Sequence, residues 1–444
     1  MPRTRSADAP LQIAVIGTGI AGMAAAWLLA PRHDVTVFEA APRVGGHSNT
    51  VDVPGPGGAE PVDTGFIVYN EANYPNLVAL FDHLGVRTRP SDMSFAVSLR
   101  DGAVEYAGSP RGLFAQPGNA LRPRHWAMIR DTLRFYRAAP AVLARPDAAT
   151  LTLGAYLREG GYSRAFVADH LLPMAAAIWS TAADDMRRYP AAAFVRFCLN
   201  HGLMRVGGRP TWRTVAGGSR AYVAALTASY AHRIRRGVGV RQLSREDGGV
   251  TVATDDGRTM RVDHAVLATH ADQALALLRH PTPAERRVLG AFRYTTNRAV
   301  LHTDARLMPR RRRVWSSWNY LGGAEGDARR EVCVTYWMNR LQGLDPRRDV
   351  FVTLNPYRTP DPASVVAAFD YDHPSYDAAT LAAQPLLAHI QGRDRLWFCG
   401  SYFGAGFHED ALSSGLAAAE ALGGARRPWA AVPDSAPPLA VAAE

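Results

Sequence analysis

The sequence of 444 residues predicts a two-domain α/β fold, in which one domain is a parallel sheet assembled from distant parts of the chain. Three observations carry that prediction. A glycine-spaced turn near the start joins a β-branched run to a helix-prone one, a second strand, turn and helix recur near the end, and the chain between them switches from helical to alternating periodicity. With 47% hydrophobic and 20% charged residues, the chain can bury two cores.

The first element is "IAVIGTGIAGMAAAWLLA", residues 13–30, which carries no charge and follows the basic start "MPRTR". Its length admits a membrane or export segment. The glycines point elsewhere: Gly17, Gly19 and Gly22 form G-x-G-x-x-G directly after Ile13, Val15 and Ile16 and directly before "MAAAWLLA", the order strand, tight turn, helix. A pyrophosphate must lie on free N–H groups at a helix N-terminus, and side chains in the turn would hold the backbone away from it. The next strand, "DVTVF", ends at Glu39, about 20 residues past the glycines, where an acid accepts hydrogen bonds from a ribose. The nucleotide-binding set at this end is Gly17, Gly19, Ile20, Ala21, Gly22, Glu39 and Ala40.

The loop "APRVGGHSNTVDV" follows, with Arg43, Gly45, Gly46 and His47, and then the strand "PVDTGFIVYN" with Asp63, Thr64 and Gly65. An acid, then R-x-G-G, then D-x-G resembles the N-terminal signature of the FAD-binding amine-oxidase and phytoene-desaturase superfamily. The resemblance implies that the Gly-Gly loop passes the flavin phosphate and ribityl chain. His47 stands where many relatives carry arginine, and reads as a loop histidine with a hydrogen-bonding job. Later segments agree in order. "VAGGSRAYVAAL" looks like a glycine turn opening a helix, "IRRGVGVRQL" places Val238 and Val240 where relatives hold adenine, and "VDHAVLATH" is a buried strand ending at Ala268 and Thr269. "RLWFCGSYFGAGFHEDALSSGLAAAEAL", residues 395–422, resembles the last flavin-contacting segment, implying contacts from Gly400, Ser401, Asp410 and Ala411, with the helix N-terminus aimed at the isoalloxazine. Ser401 departs from the pattern, which usually has an acid there.

The expected architecture is therefore a two-domain flavoprotein: a discontinuous Rossmann-like FAD domain from residues 1–75, 205–290 and 391–425, and an α+β substrate domain from 76–204 and 291–390. The first insert is helical in pattern and the second alternating. The Ala/Pro-rich tail, 426–444, reads as disordered.

Composition narrows the function. Three scattered cysteines, Cys198, Cys333 and Cys399, indicate no disulfide framework, redox dithiol or metal site, and suit a reducing cytoplasm. The net charge of +10 comes without a nucleic-acid-binding signature. All 50 basic residues are arginine, so the lysine that many amine oxidases hold near the flavin does not exist here. Aromatic residues such as Trp179, Phe197, Trp212, Trp315, Trp318 and Trp337 read mostly as core, and some as the wall of an acyl tunnel. The run Arg310 to Arg313 is a solvated loop or a docking patch for anionic phospholipid on the inner face of the membrane.

The resemblance is strongest to a bacterial branch near fatty-acyl flavoproteins, the double-bond isomerases and the acyl dehydrogenase of furan fatty-acid formation. It implies hydride removal from an allylic carbon of an unsaturated, methyl-branched or straight acyl chain, forming a conjugated diene. The alternatives are double-bond isomerisation and amine oxidation. His408, Glu409, Tyr336 and Asn339 are the candidate proton acceptors and orienters. The partners expected are a lipid and a membrane surface, not nucleic acid, and the sequence sets no oligomeric state.

Overall fold

A computed structural model of the protein describes residues 9–179, 185–205, 207–208, 210–322 and 333–430. The uncharged run 13–30 divides into the strand Gln12–Ile16 and the helix Ile20–Leu29. Among the described residues no helix is long and apolar enough to cross a membrane.

Five parallel strands form the nucleotide sheet, in the order Ile234–Arg236, Asp34–Glu39, Gln12–Ile16, His264–Leu267, Leu396–Phe398. Both faces are covered, which is why its strands read as near-continuous apolar runs. Ile13, Val15, Val35, Val37 and Val266 face one core, shared with the helices Ile20–Leu29, Pro75–Leu84, Arg220–Thr227 and His408–Ala421. Ala14, Ile16, Phe38, Ala265, Leu267 and Phe398 face another, shared with a three-stranded antiparallel sheet over 240–262. Between the first and last of those four helices the backbones nearly touch: a Cβ on Gly415 would overlap the Ala21 carbonyl oxygen.

A seven-stranded sheet makes the second domain, ordered Val365–Ser375, Arg293–His302, Phe351–Leu354, Val334–Trp337, Trp318–Gly322, Phe95–Leu99, Val104–Ala107. The two longest strands pair along almost their whole length. The last two strands come from the insert whose pattern is mainly helical; "FAVSL" and "VEYA" are too short to outweigh the helices around them. Those helices build their own core around Phe135, Phe166, Trp179, Phe194 and Phe197.

Part of the stretch expected to be disordered packs on the fold. Residues 426–430 are packed: Arg427 pairs with Glu420 and donates to Asn76 Oδ1 at 3.0 Å, and Trp429 stacks on Trp27. Residues 431–444 lie outside the described residues.

Candidate active site

The nucleotide end is built from backbone. The helix Ile20–Leu29 starts at Gly19 with no side-chain cap and no acid in its first turn. Three residues apart, two glycines differ: a Cβ on Gly22 would overlap the Gly17 carbonyl oxygen, whereas a Cβ on Gly19 would meet nothing within 4 Å. Gly22 lets the helix pack on the turn, and Gly19 keeps a space open in front of uncapped N–H groups. That space fits a pyrophosphate. Beside it, Glu39 receives the Thr18 N–H at 3.0 Å and the Ala41 N–H at 2.9 Å, which holds the acid at the strand end. Gly237 and Val238 donate to the carbonyls of Ala41 and Glu39, at 3.0 Å each, and bring Val240 to this side; Ala40 is exposed on the same rim. Arg43 donates to the Gly46 carbonyl at 2.7 Å and shapes the Gly45–Gly46 loop. Ala268 joins this turn through its N–H to the Ile16 carbonyl at 2.9 Å, with Thr269 next to it.

At the other end three carboxylates are each taken up by groups of the chain itself. Asp63 receives the Ser219 N–H and hydroxyl, the Thr50 hydroxyl and the Gln342 amide, and burial pushes its carboxyl up to about 6. Through Ser219 it holds the start of the helix Arg220–Thr227. Thr64 likewise bonds Tyr371 and Asn49. Asp410 folds back into the turn 404–407, receiving the Phe407 N–H at 2.8 Å, and burial raises it to about 7. Glu409 receives the Asn76 and Leu77 N–H groups at 2.8 and 3.0 Å, capping the helix Pro75–Leu84. For Glu409 this corrects the catalytic expectation: both oxygens serve a helix start. Gly400 donates to Ser414 Oγ at 2.9 Å, and the Ser401 carbonyl takes the Gly404 and Gly406 N–H groups, so this turn is closed by backbone bonds. Ala411 lies in the first turn of the helix His408–Ala421, whose N-cap residue Phe407 gives its N–H to Asp410.

Four imidazoles gather where these segments meet the long strands. The His47 ring lies 5.6 Å from His373, 6.1 Å from His270 and 5.0 Å from Tyr371. His408 stacks on Phe66 at 3.9 Å and meets the Tyr222 hydroxyl at 2.8 Å; that hydroxyl in turn bonds Ser48. Burial holds all four neutral: His408 is pushed down to about 3 and His373 to about 4, and His47 and His270 also fall. A one-way chain orients His373. The Arg298 N–H donates to Asn355 Oδ1, Asn355 Nδ2 to Asn297 Oδ1, and Asn297 Nδ2 both to the Thr295 carbonyl and to His373 Nδ1. With Nδ1 an acceptor, the neutral ring carries its proton on Nε2.

Sequence reading missed His270, His373 and Asn297. A signal for His373 was available: in "AAFDYDHPS" Phe369, Tyr371 and His373 alternate with Asp370 and Asp372, which bond outward to Arg298 and Thr296. Of the remaining candidates, Tyr336 stands edge-on to Trp318 in the core shared with Ile67 and Tyr371. Asn339 is corrected: its amide ties the turn 345–350, donating to the Asp345 and Arg348 carbonyls and accepting from the Val350 N–H. Aromatic stacking continues the wall, with Phe407 on Phe197 at 4.9 Å and Phe197 on His201 at 3.9 Å. Trp315 and Trp337 lie elsewhere, under Arg312. In the run Arg310–Arg313, Arg311 pairs with the buried Glu105, which also receives the Arg310 N–H, and Arg312 pairs with Asp349.

Comparison with known proteins follows this geometry. A model of flavin containing amine oxidoreductases matches residues 20–423. Over 269 residues the chain is 29% identical to a protein named as a flavin-containing monoamine oxidase, AofH, in Mycobacterium tuberculosis, with 58% of this chain and 57% of that protein covered. The chain thus spans a little over half the length of the curated relatives it matches. Among solved structures, the CLA-producing fatty acid isomerase from P. acnes has a TM-score of 0.64 at 18% identity, covering 94% of this chain and 99% of that one. Cyclohexylamine oxidase from Brevibacterium oxydans IH-35A has a TM-score of 0.65 at 16% identity, covering 93% and 99%. Both likenesses are likenesses of fold.

Proposed function

Because the chain belongs to the flavin containing amine oxidoreductase family, we propose that it is an FAD-dependent oxidoreductase that removes a hydride from an allylic carbon of an unsaturated fatty acyl or phospholipid chain, straight or methyl-branched, leaving a conjugated diene. When bound, FAD supplies the hydride acceptor. What the chain itself supplies beside that acceptor is a group of rings, His47, His270, His373 and His408, held neutral next to Phe66 and Tyr371.

One observation carries this reading: the carboxylates Asp63, Glu409 and Asp410 are each bound to backbone N–H groups, and the rings His373 and His408 are held neutral. An acyl chain gains about 0.8 kcal/mol for each CH₂ buried. For the proton that leaves the neighbouring carbon, we assign His408 as acceptor. In the tautomer that gives its Nε2–H to the Tyr222 hydroxyl, 2.8 Å away, Nδ1 is left to accept.

The same rings favour a second reading, double-bond isomerisation. Imidazoles whose conjugate acids lie near 3 or 4 are weak bases at neutral pH. Isomerisation returns the hydride to another carbon and needs no side chain to keep a proton. An anaerobic titration of the flavin-loaded protein separates the readings. Bleaching by an unsaturated acyl lipid with new diene absorbance supports dehydrogenation, a shifted double bond with no net bleaching supports isomerisation, and bleaching by amines alone overturns both.

A further inference from the structure

Among the described residues four large apolar side chains are exposed, and three of them fall within thirteen residues of one another: Leu121 at 87%, Trp126 at 50% and Leu133 at 39%. Scattered singly, such residues would need no explanation, but clustering does. Trp126 and Leu133 sit on the helix Pro123–Ala138, whose inner side buries His125, Met128, Asp131 and Phe135. On its outer side Trp126, Arg130, Leu133 and Arg137 follow one another at spacings of four, three and four, so they form a single stripe about 16 Å long. Leu121 projects from the turn just before it.

The stripe is apolar and cationic and has no carboxylate. Between residues 121 and 138 there are five arginines and one acid, Asp131, whose side chain is 2% exposed and receives the Ser163 N–H at 2.8 Å. Arg130 is 72% exposed, and its contact with Asp131 is a long 3.4 Å. An open groove of about 400 Å³ runs beside it, lined by Arg130, Leu133, Arg134, Arg137 and Ala138. Tryptophan at one end, leucine between, and guanidinium groups that can reach outward are the chemistry of a helix lying in a lipid interface.

We propose that this face of the helix Pro123–Ala138, with Leu121, docks the protein on an anionic phospholipid surface. The sequence offers Arg310–Arg313 as a solvated loop or a docking patch; two of those arginines, Arg311 and Arg312, are paired within the protein, whereas the stripe has exposed apolar side chains and no acid of its own. Charge complementarity selects the occupant: a zwitterionic surface would gain only the apolar contact, while an anionic one gains attraction from each arginine. The inference stands apart from the reading of the substrate.

The test uses the full, flavin-loaded protein and vesicles of phosphatidylcholine alone or mixed with phosphatidylglycerol, read by co-sedimentation at low and high salt. The expected result is binding to the mixed vesicles that falls with salt and is weak on phosphatidylcholine. Arg130→Gln with Arg137→Gln should lower the partition coefficient roughly thirty-fold, and Trp126→Ser with Leu133→Ser at least about ten-fold, with flavin absorbance and melting temperature retained in both. No binding by the wild type, or equal binding by the variants, overturns the proposal. So does a dimer in sedimentation velocity that both variants dissociate, because a second copy would then cover the stripe.

Discussion

His408 and Glu409 are neighbours in sequence and have opposite fates, which shows how much one helical step decides. Successive residues on a helix point about 100° apart. His408 faces Phe66 and Tyr222, while Glu409 faces the start of another helix and holds two of its N–H groups. Replacing Glu409 by Gln should therefore cost about 1–2 kcal/mol of stability in thermal or denaturant unfolding. Flavin reduction by substrate in the protein that remains folded should stay near wild type; a large loss of rate at unchanged stability would restore a catalytic role. Gly19 and Gly22 make the same point with glycine. Gly22→Ala must push the helix off its turn, an overpacking that costs about 1–3 kcal/mol or more. Gly19→Val has room in the apoprotein. It should leave the apoprotein melting temperature within a few degrees and weaken FAD binding at least about ten-fold by fluorescence titration.

At the scale of elements, what matters is which surfaces meet. The helices Ile20–Leu29 and His408–Ala421 are almost four hundred residues apart in sequence and pack backbone to backbone at Gly415 and Ala21. The two helices are thereby fixed against one another. Gly415→Leu should separate them, so the expected outcome is lost flavin together with a clear fall in melting temperature. The paired strands Arg293–His302 and Val365–Ser375 supply the other wall, and Asn297 stands directly opposite Tyr371 in that ladder. Asn297→Leu removes the donor that fixes the His373 tautomer. Stopped-flow reduction should then slow by about ten-fold or more, with flavin still bound and a changed pH profile. An unchanged profile would show that His373 is only filler.

Whole-molecule behaviour with pH follows from how many titrating groups are buried in their neutral forms. His302 sits in the core of the second sheet, bonded to Thr353 at 2.7 Å, and burial pushes it down to about 4. Its folded value lies below the unfolded 6.5, so the unfolded chain takes up the proton first. Stability present above pH 6.5 is lost as the pH falls toward 4, by about 2 kcal/mol at pH 5 for this one residue. His201, His373 and His408 act in the same direction. Asp63 and Asp410, raised to about 6 and about 7, act in the other: their contribution is full below the ordinary carboxylate value and is lost as pH rises through those figures. The histidines outnumber them, so the apoprotein should melt at a lower temperature at pH 5 than at pH 7. His302→Asn should narrow that difference even though it destabilises the protein overall, and a melting temperature that rises toward pH 5 would show the carboxylates in control.

By itself the sequence determined the nucleotide-binding half: the strand, turn and helix at Gly17–Gly22, the acid at Glu39, the Gly-Gly loop and the closing segment at 395–422 are local patterns, and local patterns survive in one dimension because backbone geometry imposes them. Only the tertiary structure decided which polar groups are taken up by the frame. Asp63, Glu409, Asp410 and Asn339 look available as letters, yet each is claimed by an N–H group or a carbonyl somewhere else along the chain. His47, His270 and His373 come from three separate segments and meet only when the two sheets close on each other. A buried polar atom must find a partner, and the partner it finds is set by packing across the whole molecule.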